Sequence, residues 1–344
     1  MRGIISIEKI RPDGLEYPIG LSNIAGGPIF NAATNSTGGD QTMDSTDVVH
    51  TFTSSNTFIP SFDGFVEVLV IGGGGAGETT NWPGGGSPAT YDADGGGAGG
   101  LIHLTNYRVN NGASYNVTVG AGGGPTSSIP GTPTTFDTIE ALGGQGGANT
   151  VTVGGSGGRG APITVYNQRF GTPTSSPALG LGTQGQGFPG GSPFTFSGGS
   201  GGGGAGTAGF PNGFSNSATA NVESFSLPTP AGATAGSGGA GGIGLYFSIS
   251  GANTGYAGGG GGFYSRSAPP DGASTGTYGL ATEGGGRAAA STPLATGAAN
   301  RGGGGGAAVS SPPAPGIRGA GGSGIVIVRY SANQSTTFLE SVIN

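Results

Sequence analysis

The chain has 344 residues, of which 83 are glycine and 23 proline, and it carries a formal net charge of −6 with no cysteine. The missing thiols exclude disulfides, thiolate catalysis and cysteine metal sites. Lys9 is the only lysine and the arginines are scattered, so no basic stripe exists to neutralise nucleic-acid phosphates.

Ordering a backbone costs about 1–2 kcal/mol per residue, and most for glycine, so a folded chain of this composition needs an unusual source of cohesion. Composition alone would suggest disorder. Disordered chains are usually poor in aromatics, however, whereas this one has 16 Phe, 10 Tyr and one Trp to bury. No stretch approaches the roughly 20 apolar residues that span a bilayer, so no membrane insertion is expected. The opening Met1-Arg-Gly-Ile-Ile-Ser-Ile-Glu-Lys9 is interrupted by Glu8, Lys9, Arg11 and Asp13 before an apolar signal region forms.

In chain order, period-two or β-branched segments bounded by Gly, Pro, Asn or Ser predict strands over residues 48–52, 56–59, 65–71, 101–104, 115–119, 245–250 and 325–330. In the third, Val66, Val68 and Val70 alternate with Leu69 and Ile71, so both faces are apolar and the strand is expected inside the fold. The last, Ile-Val-Ile-Val-Arg-Tyr, has the same character. Gly and Pro interrupt every helical window after Ser45, so essentially no α-helix is expected; the weak candidate is Thr337 to Val342.

Between the strands lie glycine runs such as Gly72–Gly77, Gly95–Gly100, Gly258–Gly262, Gly302–Gly306 and Gly319–Gly324. Glycine keeps no strict third-residue register with proline, which excludes collagen. The physical solution is a bundle of three-fold polyglycine II helices, rising about 3.1 Å per residue, whose amides bond to carbonyls of neighbouring helices. The expected fold class is all-β, with strands framing this glycine-rich sandwich.

The succession His50-Thr-Phe-Thr-Ser-Ser-Asn-Thr-Phe58, Val66-Glu-Val-Leu-Val-Ile-Gly-Gly-Gly-Gly75, Tyr115-Asn-Val-Thr-Val-Gly-Ala-Gly-Gly123 and Gly321-Gly-Ser-Gly-Ile-Val-Ile-Val-Arg-Tyr330 resembles the glycine-rich domain of tailed-bacteriophage tail fibres and tip adhesins, including those of marine cyanophages. The resemblance covers roughly residues 47–330. It implies a virion surface appendage, assembled in the host cytoplasm, with loops that touch a host-cell saccharide or outer-membrane protein. It also implies a homotrimer. Residues 1–46 are then an attachment or oligomerisation segment to other virion proteins, and 331–344 a C-terminal tail. A self-assembling extracellular filament or matrix protein is the alternative.

Gly72-x-Gly74-x-x-Gly77 after a buried strand, with Asp92 and Asp94 beyond, mimics a dinucleotide fingerprint. The required helix is missing, because Glu78-Thr-Thr-Asn-Trp-Pro-Gly cannot form one. His50 and His103 read as strand residues, and Glu223, Asp271 and Glu283 as solvated loop carboxylates. No catalytic group, cofactor or metal site is therefore expected. The binding surface is expected in the insertions over 162–196, 210–230 and 263–293. They carry Tyr166, Phe170, Phe188, Phe210, Phe214, Phe225, Tyr264 and Tyr278 among adaptable polar residues.

Overall fold

The computed structural model describes residues 35–81, 91–147, 154–158, 180–191, 199–211, 238–265, 277–289, 292–310 and 318–333. Every predicted strand is present. An antiparallel sheet runs in the order β1 (Asp40–Asp44), β2 (Asp47–Phe52), β16 (Ile325–Ser331), β4 (Gly64–Ile71) and β7 (Leu101–Val109). A second antiparallel sheet is ordered β10 (Ile139–Ala141), β9 (Thr134–Phe136), β8 (Tyr115–Thr118) and β3 (Asn56–Phe58). Strand β7 continues five residues past the expected end at Leu104. Strand β11 (Leu245–Phe247) stops short of Ser250 because the chain turns there, with the Gly251 N–H bonded to the Ser248 carbonyl.

The alternation in β4 sorts two cores. Val66, Val68 and Val70, with Val326, Val328 and Tyr330 of β16, meet Phe58, Tyr115, Val117 and Phe136 of the second sheet. This is a β-sandwich, and each of these side chains contributes about 1.5–3 kcal/mol on burial. Leu69, Ile71, Ile325 and Ile327 face the other way, onto Ala98, Ala205, Ile249, Tyr256 and Ala257. The central strands are thus apolar on both faces because the sheet separates a sandwich from a glycine lattice. His50 sits fully buried in β2, donating from Nδ1 to the Gly38 carbonyl at 2.6 Å while Tyr330 bonds Nε2 at 2.9 Å.

The lattice begins where the sheet ends. Ile71 faces Leu101 across the β4–β7 pair. The next partners are Gly72 N–H to Gly100 O, Gly75 N–H to Gly97 O and Glu78 N–H to Asp94 O, without slippage. The intervening amides turn elsewhere: Gly73 and Ala76 bond to the carbonyls of Thr132 and Ile129, and Gly74 and Gly77 to those of Gly322 and Gly319. Successive amides point to three different neighbours and return to each after three residues. That is polyglycine II geometry, with the sheet register carried into it.

Gly95–Gly100 occupies the centre. It donates to segments around Ser200, Gly305 and Gln145, and accepts from Gly75, Ser156 and Gly260. Backbone approach is so close that a Cβ built on Gly96 or Gly304 would overlap a neighbouring backbone carbonyl. Where a methyl faces the sheet instead, the sequence supplies alanine, as at the fully buried Ala98. The core of the lattice is backbone, as its composition demands.

At the far end of the lattice the chain returns to short strands: β5 (Thr79–Asn81), β6 (Tyr91–Ala93), β13 (Phe263–Ser265), β14 (Thr277–Tyr278) and β15 (Ala308–Ser310). Strand β13 lies between β6 and β14, and β5 pairs with β15. The remaining hairpin is β11 with β12 (Thr254–Tyr256), and one helical turn, α1 (Thr292–Ala295), is the only α-helix among the described residues. Strand β1 and the buried Ala332 lie outside the expected span 47–330, so the β-framework reaches into both flanking segments. Polar β1 was not foreseen because it is an exposed edge, with Asp40 and Asp44 at its ends. The candidate helix over 337–342 lies outside the described residues.

Candidate functional site

The lattice gives the domain two distinct ends. Six residues from Gly72 to Gly77, at about 3.1 Å each, separate them by about 19 Å. At one end stands the sandwich. It receives the described chain from residue 35, where Thr37 bridges Ile59, and returns it to residue 333 beside Ala332, whose N–H bonds to Thr46 O.

The other end is where the insertions depart. Residues 81 and 91 close β5 and open β6; residues 265 and 277 close β13 and open β14; residue 310 closes β15. Gly191 bonds to the Gly201 carbonyl, Gly199 to that of Phe263, and Phe210 to that of Ala240. The residues flanking 82–90, 192–198, 212–237, 266–276 and 311–317 therefore all stand at the end opposite the sandwich. Two acids close the lattice there. Asp94 Oδ1 accepts the Ser200 N–H at 2.6 Å, and Glu78 Oε2 accepts the Asp94 N–H at 3.2 Å.

Of the eight candidate recognition aromatics, Tyr166, Phe170, Phe214 and Phe225 lie outside the described residues. Tyr264 and Tyr278 fall on the paired strands β13 and β14, in backbone register with Thr277 and Phe263 respectively. Phe188 is 43% exposed and Phe210 half-buried. Their backbones are lattice members: the Phe188 N–H bonds to Gly204 O and its carbonyl accepts from Gly157, while Phe210 O accepts from Gly201. The structure thus seats these two on the glycine lattice instead of in loops beyond it.

The dinucleotide mimic is disposed of by bonding. The amides of Gly72, Gly74 and Gly77 are taken by Gly100, Gly322 and Gly319 carbonyls, leaving none for a pyrophosphate, and Asp94 is engaged with Ser200. Burial pushes the imidazole of His50 below its ordinary value. His103 pairs instead with Glu67 at 2.8 Å, its ring 4.8 Å from that of Phe247. Both histidines are strand residues with structural partners. Burial likewise raises the Tyr330 phenol to about 12, and burial together with Asp137 raises that of Tyr107 to about 12. Among the described residues, no group of three or more histidines and carboxylates is placed to hold a metal ion, and no helix is long and apolar enough to cross a membrane.

A sequence-family comparison matches residues 50–331 to a glycine-rich domain. The chain belongs to the glycine-rich domain family. The matched span starts in β2 and ends at the last residue of β16, so it coincides with the central strands and the lattice hung from them. No curated protein matches the chain. Glu223 and Asp271 lie outside the described residues. In the sequence Glu283 reads as a solvated loop acid, and Tyr246 falls within the expected strand over 245–250. Glu283 lies against Gly255, the strand partner of Tyr246, through a packing of glycine segments that no linear motif encodes.

Proposed function

We propose that the chain is a non-catalytic surface appendage of a tailed bacteriophage, a tail fibre or tip adhesin that presents loops to the host cell. The observation that carries the reading is the polarity of the domain. Both flanking segments join at the sandwich, whereas the flanks of most internal insertions gather at the opposite end of a rigid backbone lattice. Such a body suits attachment at one end and recognition at the other, because loops on a rigid scaffold can vary without disturbing it. The resemblance to phage fibre and adhesin domains supports the same assignment. Other virion proteins are then the partners of residues 1–46, and a host-surface saccharide or outer-membrane protein is the receptor. Assembly occurs in the host cytoplasm, as a homotrimer by analogy with phage fibres.

The test is imaging of purified virions decorated with a labelled antibody against the domain, together with binding of the purified protein to susceptible cells. Label at the tail tip or fibre, with saturable cell binding, is the expected result. Unlabelled virions, or long polymers of the pure protein that bind no cell, would overturn the reading in favour of a structural filament. Shortening of capsule or lipopolysaccharide chains by the pure protein would overturn the non-catalytic assignment.

A further inference from the structure

On the flank of the domain, Tyr246 of β11 faces Gly255 of β12 and is 58% exposed. Gly255 serves as a seat. A Cβ there would lie 2.8 Å from Glu283 Cγ, so the missing side chain leaves the room that Glu283 occupies. The Glu283 carboxylate is held by the Gly244 N–H at 3.1 Å and by the Thr282 hydroxyl, and its charge raises the proton affinity of the Tyr246 phenol. Next door, Gly284 has φ +91°, which by itself favours glycine, and a Cβ there would stand 2.9 Å from Cβ of the exposed Arg301.

The backbone beneath is strained. Of the five described non-glycine residues with positive φ, three converge here: Ala257 at 56°, Glu283 at 48° and Asn300 at 59°. Arg301 links two of these neighbourhoods, because its carbonyl accepts the Ala257 N–H at 2.8 Å. Left-handed non-glycine residues cost about 1–3 kcal/mol each and persist where the surroundings over-determine them, as at ligand sites. Lattice packing explains the glycines here, but it does not call for an exposed tyrosine, a fixed carboxylate and an exposed arginine borne on adjoining segments.

Those three groups define a ligand chemistry. An exposed phenol ring offers an apolar face with a polar tip. A carboxylate has about four acceptor directions, and the Gly244 N–H and the Thr282 hydroxyl take two on this one, which leaves room for a hydroxyl. The guanidinium contributes a fork of donors. One acid and one base in one neighbourhood disfavour a charged ligand of either sign, and a cation on the ring would be repelled by the charge of Arg301. A neutral polyol with an apolar face fits. We propose that Tyr246, Glu283 and Arg301 form a subsite for a neutral hexopyranose, its C–H face on the Tyr246 ring and its hydroxyls on Glu283 and Arg301.

The site is a property of this chain, and it rests on the adhesin reading only for the source of the sugar. The test is NMR titration of the full chain with methyl α-glucopyranoside, methyl α-galactopyranoside and methyl α-mannopyranoside at millimolar concentration. At least one should shift the Tyr246 ring resonances. Tyr246→Ala should weaken its binding about tenfold or more, and Tyr246→Phe about threefold or less. Glu283→Gln should weaken it while the Tyr246 ring still shifts at higher concentration. Absence of a response to all three sugars, a response confined to other residues, or undiminished binding by Tyr246→Ala would each overturn the proposal. Cell attachment is read separately: sugar binding without attachment keeps the subsite and removes the adhesin reading.

Discussion

Gly96→Ala tests the lattice at its centre. The new Cβ would overlap the carbonyls of Gly75 and Ala76, both backbone atoms that no rotamer change can move aside. Relief requires the 72–78 segment to back away from 94–100, which breaks or stretches the bonds from Gly75 to Gly97 and from Glu78 to Asp94, each 2.8 Å long. Two such bonds are worth about 2 kcal/mol net, and overpacking adds about 1–3 kcal/mol. Alanine recovers about 0.4–1 kcal/mol by restricting the unfolded chain. The balance is a loss of about 3 kcal/mol, or a fall in Tm on the order of 10 °C for a domain of this size. Calorimetry at neutral pH measures it. Gly124→Ala is the control, because a Cβ there meets only Ile129 Cδ1, at 3.8 Å. It should change stability by less than about 1 kcal/mol, and upward if at all. A Gly96→Ala protein that melts within about 2 °C of its parent would refute the backbone-core argument.

Further expectations use the same structure. Ala98→Gly should destabilise by about 1–2 kcal/mol, since it empties a buried methyl under the sheet and adds backbone freedom; an unchanged Tm would mean that the lattice selects glycine everywhere. One glycine inserted between Gly74 and Gly75 should cost more than three, because one residue turns each later amide towards the wrong neighbour whereas three restore its direction. Equal melting temperatures for the two insertions would refute the three-fold register. His50 has a folded-state pKa below its ordinary value of 6.5 because of burial. The unfolded chain therefore binds more protons in acid, so stability should be complete above about pH 6.5 and fall as pH drops towards the folded pKa. His50→Phe should flatten that slope in Tm against pH, and an unaltered slope would assign it to another group.

The legible parts of this fold are those where a period survives in the sequence. In β4 the valines at 66, 68 and 70 and the residues Leu69 and Ile71 separate by alternation alone, and they face two different cores as that alternation requires. Polyglycine II was legible from the lack of any other way to satisfy so many bare amides. The two- and three-residue strands β5, β6, β13, β14 and β15 were not, because strands so short carry no period of their own. They pair because the glycine segments leading into them are already aligned by bonds such as Glu78 to Asp94 and Ala308 to Glu78.

The same cause hid the flank site. Tyr246 and Glu283 are joined only after 239–244, 258–262 and 283–286 have packed as neighbouring lattice members, with Gly259 bonded to Gly242 and Gly261 to Gly286. Side chains borne by a polyglycine lattice acquire neighbours from helices that have no side chains of their own, so their proximity leaves no residue pattern to read. Glycine at 255 is therefore informative in a way that a run is not: it lies beneath a large polar side chain belonging to a different segment. A single glycine placed opposite a charged side chain, outside the long runs, as at Gly255, marks where such a lattice makes room for chemistry.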